Sequence, residues 1–191
     1  MTPDRFIDAF LAALSAGSRA GSLNVDAETS EWSEQVFGVL FDIAMTQNYI
    51  VCTEEDYGFP DRKSFKRGHW ENEEFLWDMT WYDRKGDYVL PVAVIENENK
   101  PDVHELLTDL AKTWAAAAKL RIGIGYVEHA DAVLKTLAQV NKVMAETADL
   151  FPGASSGVND VLVLIVAHEP LVAHGFIRRA GSTQYVPYAA I

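Results

Sequence analysis

The sequence predicts an α/β fold: three layers, α/β/α, with a central mixed sheet. Three observations point there. Helical apolar stripes and short apolar strand runs alternate along the chain. A hairpin signal in the middle, two apolar runs around Asp83-Arg84-Lys85-Gly86-Asp87, demands an antiparallel pair. The run Val161 to Ala167 is apolar at every position, as in a strand covered on both faces.

The elements follow in chain order. Thr2 to Ala16 reads as a helix capped by Thr2, with Pro3 in its first turn and Phe6, Phe10, Leu11 and Leu14 as its stripe. After a Gly/Ser-rich connection, residues 17 to 23, a second helix spans about Thr29 to Gln47. Its buried side carries Trp32, Val36, Phe37, Leu40, Ile43 and Ala44. Glu34 on that helix is a lesser candidate for pointing into a site. Tyr49 to Cys52 is a short strand. The polar segment Thr53 to Asn72 holds the dense basic cluster Arg62, Lys63, Lys66, Arg67 and His69, with Phe65 and Trp70 interleaved. It reads as a solvated loop, or as a phosphate-contacting loop with bases stacked on its aromatics.

The hairpin comes next, then a helix over Pro101 to Leu120, a strand over Arg121 to Val127 and a helix over Ala130 to Leu150. Gly123 and Gly125 permit close approach of a neighbouring element, and as Gly-x-Gly inside a strand they make no dinucleotide fingerprint. Gly153-Ala154-Ser155-Ser156-Gly157 has the letters of a nucleophile elbow, but a helix precedes it and a strand follows, the reverse of what that motif needs. His174 to Arg179 and Thr183 to Pro187 close the chain as a hairpin. No linker divides the sequence, so one domain is expected over 1–191, with N-terminal helices in 1–47, a core in 48–168 and the hairpin in 169–191.

Composition narrows the chemistry. The 191 residues suffice for a substantial core, and the mean hydropathy of −0.04 is that of a soluble globular protein. No apolar run reaches bilayer-spanning length, and the first residues lack a signal-peptide pattern, so a cytoplasmic protein without membrane contact is expected. Cys52 is the single cysteine, which excludes an intrachain disulfide and a thiolate zinc site. The net charge of −12 opposes nonspecific nucleic-acid binding. The histidines show no ligand spacing, and neither a His-Glu-x-x-His motif nor a Walker loop is present.

The chemistry concentrates in the hairpin. With side chains alternating, Glu74, Leu76, Asp78 and Thr80 share one face of the first strand, and Val92, Val94, Glu96, Glu98 and Lys100 one face of the second. An even register places both sets on the same side of the sheet. Asp78 then stands mid-strand between Trp77 and Met79. Carboxylates gathered at a half-buried strand end require a compensating cation, a metal ion or a lysine. On the following helix Glu105, Asp109 and Lys112 share one side, the spacing of an ordinary surface ion-pair ladder.

Over roughly Trp70 to Val127 these residues resemble the PD-(D/E)XK, or restriction-endonuclease-like, nuclease superfamily. Asp78 lies on one strand, Glu96-Asn97-Glu98 closes the next, and the helix with Asp109-Leu110-Ala111-Lys112 and the strand Arg121 to Ile124 follow. No proline precedes Asp78, and Glu98 stands where lysine is commoner, so this is a Glu-x-Glu variant. Glu98-Asn99-Lys100 is an alternative register; Glu96-x-Glu98 is preferred because Glu96 directly ends the apolar run. The resemblance implies metal-dependent phosphodiester hydrolysis with Mg²⁺ or Mn²⁺, hard ions suited to carboxylate ligands. Asp78 and Glu96 would hold the metal, with Glu74 an extra ligand. Glu98 would orient or deprotonate the attacking water, and Lys112, or Lys100, would stabilise the developing charge. The other expectation is a catalytically inactive domain of the same fold, a regulatory or interaction module. The acidity suits a basic protein partner, and a homodimer could also assemble a nucleic-acid groove from two copies.

Overall fold

The computed structural model describes residues 1–20, 23, 29–53, 77–147, 160–178, 182 and 184–188. Among them, four helices and seven strands form an α/β fold: α1 (Pro3–Ala20), α2 (Thr29–Thr46), β1 (Ile50–Thr53), β2 (Met79–Lys85), β3 (Tyr88–Asn97), α3 (Val103–Ala115), β4 (Leu120–His129), α4 (Ala132–Thr147), β5 (Asp160–Glu169), β6 (Val172–Arg178) and β7 (Val186–Pro187). The sheet keeps chain order in space, β1 to β7. Its centre, β3-β4-β5, is parallel, and the pairs outside it are antiparallel. The parallel strands need helical crossovers, which α3 and α4 supply.

Side-chain alternation divides the core into two layers. Phe6, Phe10, Trp32 and Leu40 of α1 and α2 pack with Trp81, Ile95, Ile122, Ile124 and Leu164 on one face. Leu106, Leu110, Val133, Leu137 and Val140 of α3 and α4 pack with Val127, Val163 and Ile165 on the other. Every residue from Val161 to Ala167 is fully buried, as its unbroken apolar run predicts. Gly123 and Gly125 lie under α3. A Cβ on Gly125 would stand 2.7 Å from Leu106 Cδ2, so the helix packs directly on the strand backbone.

The hairpin adopts the expected even register from Met79 to Trp81, with Thr80 opposite Val94 and Met79 opposite Ile95, but the register shifts between Trp81 and Tyr82, so Tyr82 faces Pro91 and the pairing toward the turn is odd. The strands run on to Lys85 and restart at Tyr88, leaving a turn of Gly86 and Asp87, with Gly86 at φ 62°. Asp78 is not mid-strand; β2 begins after it, at Met79. The ladder stops there because the Asp78 carboxylate, rather than a main-chain carbonyl, accepts the Asn97 N–H (2.8 Å).

The third helix is shorter than expected at both ends. Asp102 caps it, its carboxylate accepting the His104 N–H at 2.7 Å, and Pro101 lies outside. The alanine run leaves the helix at Ala116, where the chain turns back toward β4. Ala116 and Ala118 are buried against Val94, and Trp77 packs on the same cluster. The first helix instead runs past Gly17 to Ala20, and β6 begins at Val172, ahead of the expected His174. Glu74, the basic cluster of Arg62 to His69 and the Gly153–Gly157 stretch lie outside the described residues. No described helix is long and apolar enough to cross a membrane.

Candidate functional site

The C-terminal end of β3 carries polar side chains to both faces of an otherwise apolar strand. Val94 and Glu96 point toward α3, and Ile95 and Asn97 toward α2, because successive side chains alternate. The strand is held on both sides here. Ile95 pairs with Met79, Glu96 and Asn97 pair with Gly123 and Ile124, and the Glu98 N–H donates to the Ile124 carbonyl (2.9 Å).

On the α3 face, Glu96 is 1 % exposed. Its Oε2 accepts from Lys112 Nζ at 3.3 Å, and the same ammonium stands 2.7 Å from Asp109 Oδ1. Glu96 Oε1 has no hydrogen-bond partner among the described residues. Burial is the main force on this carboxyl, and the Asp78 and Asp109 charges act in the same direction; together they outweigh Lys112 and push its pKa up to about 8. Burial alone would lower the Lys112 pKa, but the hydrogen bond to Asp109 and the charges of Glu96 and Asp109 raise it, so Lys112 stays cationic. Asp78 is placed by its neighbour. The Trp77 indole N–H reaches the Lys112 carbonyl at 3.4 Å, docking the approach to β2 onto the end of α3.

On the α2 face a second polar chain begins at the same strand end. The Tyr126 hydroxyl donates to Asn97 Oδ1 (2.6 Å), Asn97 Nδ2 donates to Asn99 Oδ1 (2.8 Å), and Asn99 Nδ2 donates to the Ser33 hydroxyl of α2. The Tyr126 ring stands edge-on to Trp32 (5.9 Å) and His168 (5.6 Å). Burial raises the Tyr126 pKa and keeps the phenol protonated, hence a permanent donor. Burial also lowers the His168 pKa, against the pull of Glu169.

The structure thus gathers Asp78, Glu96 and Lys112, three of the residues singled out in the sequence, and adds Asp109, which the sequence reads as part of a surface ladder. Glu98 is half-buried and turns back on its own backbone, its Oε1 accepting the Lys100 N–H at 2.8 Å, while Lys100 is exposed. Glu34 is exposed on α2. Asn97, Asn99, Tyr126 and Ser33 are absent from the sequence-based candidates. The readable signal for the asparagines was the Glu-Asn-Glu-Asn alternation, which puts polar groups on both faces of a strand that must be buried.

Among the described residues, no group of three or more His, Cys, Asp or Glu side chains is gathered to hold a metal ion. Two carboxylates nevertheless approach each other there. Glu96 offers a buried carboxylate oxygen without a donor, and Asp78 is near enough to raise its pKa. A cation there would relieve both the desolvation and the like-charge repulsion. No protein-family model matches the chain, and no curated protein or solved structure matches it significantly.

Proposed function

We propose that the chain is a metal-dependent phosphodiesterase acting on nucleic acid, with a restriction-endonuclease-like core and a Glu-x-Glu site. The observation that carries this reading is the Glu96 carboxylate: buried, with one oxygen unmatched, beside a second carboxylate and beneath a lysine. The order hairpin, helix, parallel strand over β2, β3, α3 and β4 supports it, because these are the pieces on which the resemblance rests.

In this reading Asp78 and Glu96 would hold a Mg²⁺ or Mn²⁺ ion, with Glu74, which lies outside the described residues, as a further expected ligand. Such an ion would supply a bound water of lowered pKa and positive charge toward an attacked phosphate. Glu98 orients or deprotonates the attacking water once it releases the Lys100 N–H. Lys112, whose ammonium lies between Glu96 and Asp109, would be the group that stabilises charge developing on the phosphate.

The test is cleavage of single- and double-stranded DNA and RNA with Mn²⁺, comparing the wild type with Asp78→Asn and Glu96→Gln. Both substitutions keep side-chain shape and remove ligand charge. Each is expected to lower the rate by at least about 100-fold, the scale of losing a preorganised charged group. Full activity in both variants would remove the assignment.

One observation favours the non-catalytic reading: Lys112 already bridges Glu96 and Asp109, so much of the acidic charge is matched within the chain. A regulatory or protein-binding module built this way would bind no divalent metal at the strand end.

A further inference from the structure

At Asn97 the polar groups of both sheet faces meet. Its main-chain N–H donates to Asp78 Oδ2 at 2.8 Å. Its side chain faces the opposite way and is held at both ends, Oδ1 by the Tyr126 hydroxyl and Nδ2 by Asn99. The donors run in one direction, from Tyr126 on β4 through Asn97 and Asn99 to Ser33 on α2. That sense fixes which way each amide faces: Tyr126 donates to Asn97, so the Asn97 NH₂ must turn to Asn99.

The arrangement is costly to disturb. Asn97 is 5 % exposed and Tyr126 is 4 % exposed, so a lost partner leaves a buried polar group unmatched. The backbone at Asn97 is less secure on the β2 side, because the last ladder pair there is Met79 with Ile95. Beyond that pair the link across the hairpin is the Asp78 carboxylate itself. The site carboxylate and the strand end therefore hold each other, and the asparagine–tyrosine chain holds the strand end from the far face, alongside its pairing with β4.

We infer that Tyr126 and Asn99 are positioning residues for Asp78: acting through Asn97 from the far face of the sheet, they set where the Asp78 carboxylate stands relative to Glu96. Its meaning for metal binding rests on the function proposed above; its structural content does not. Partners behind a ligating carboxylate commonly shift metal affinity by about 10- to 100-fold when removed.

The test reads two quantities on the intact chain: hydrogen exchange of the Asn97 amide by NMR, and Mn²⁺ affinity by calorimetry. Asp78→Ala calibrates the first, since removing the acceptor must speed exchange of that amide. Tyr126→Phe and Asn99→Ala are expected to speed Asn97 exchange by about tenfold relative to amides in the centre of β5, a local opening rather than a global one. Tyr126→Phe is further expected to weaken Mn²⁺ binding by about tenfold. A lower melting temperature with Asn97 exchange and Mn²⁺ affinity unchanged would overturn the inference and make the chain a staple between α2 and the sheet. Unchanged Asn97 exchange in Asp78→Ala would overturn it too. If the wild type binds no Mn²⁺, the proposed function fails, and the exchange ratios in Tyr126→Phe and Asn99→Ala alone decide the positioning role.

Discussion

Glu96 carries the sharpest consequence at the scale of single residues. Its folded pKa is about 8 against an ordinary 4.5, so between those values the folded chain keeps a proton that the unfolded chain has released. The folded state then binds more protons, and stability falls as pH rises through that window. Glu96→Gln removes the ionisation and keeps the shape. The wild type is expected to lose on the order of 2–4 kcal/mol relative to Glu96→Gln between about pH 5 and about pH 8, measured by urea unfolding at stepped pH. Parallel stability curves for the two proteins would show that Glu96 is not held in its buried, acid-crowded setting. Glu96, Asp78 and Lys112 were legible in the sequence, because charges beside apolar runs must be placed somewhere and period-two alternation says on which face. Asp109 was legible as a neighbour of Lys112 but not as a member of the site: helical spacing gives the ion pair, while its 13 % exposure comes from the docking of α3 on β3 and β4. Tyr126 was not legible. It joins Asn97 only through the parallel pairing of β3 with β4, a register that no local pattern encodes.

Among the elements, the seat of α3 decides whether Lys112 reaches Glu96. Gly123 and Gly125 let that helix lie directly on β4, the close approach that a Gly-x-Gly within a strand predicts. Gly125→Ala would press a methyl group into Leu106, which is 2 % exposed, and is expected to cost about 1–3 kcal/mol in chemical denaturation. The cost should shrink in a Leu106→Ala background, since the two side chains contend for one space. Additive costs would mean that the helix is seated by other contacts. The hairpin was legible because turn glycine and apolar alternation are local signals. The end of α3 was not. Alanines favour helix, and Ala116 and Ala118 leave it because burial against Val94 and Trp77 outweighs a propensity worth tenths of a kcal/mol per residue. The start of β2 was misplaced for a related reason: a side-chain carboxylate in the ladder position ends the strand, and strand periodicity does not reveal such a substitution.

Across the whole molecule, one seven-stranded sheet brings the two polar chains to opposite faces of one strand end. The α/β class and the mixed sheet follow from alternating helix and strand signals around a hairpin, and β5 from its unbroken apolar run. Strands that are neighbours in sequence are neighbours in the sheet, joined by tight turns at β2-β3 and β5-β6 and by the helical crossovers α3 and α4 at β3-β4 and β4-β5. The net charge of −12 makes a cation-dependent site more telling, because added positive charge is favoured over the whole surface but selected only where carboxylates converge. Specific binding must therefore depend on one named side chain. The decisive measurement is calorimetry of Mn²⁺ and Mg²⁺ with the wild type and with Asp78→Asn, which keeps an acceptor for the Asn97 N–H while removing the charge. Saturable binding of about one ion, weakened at least tenfold in the variant, is the predicted result. No binding by the wild type at millimolar metal, or equal binding by both proteins, would contradict a metal site at the end of β3.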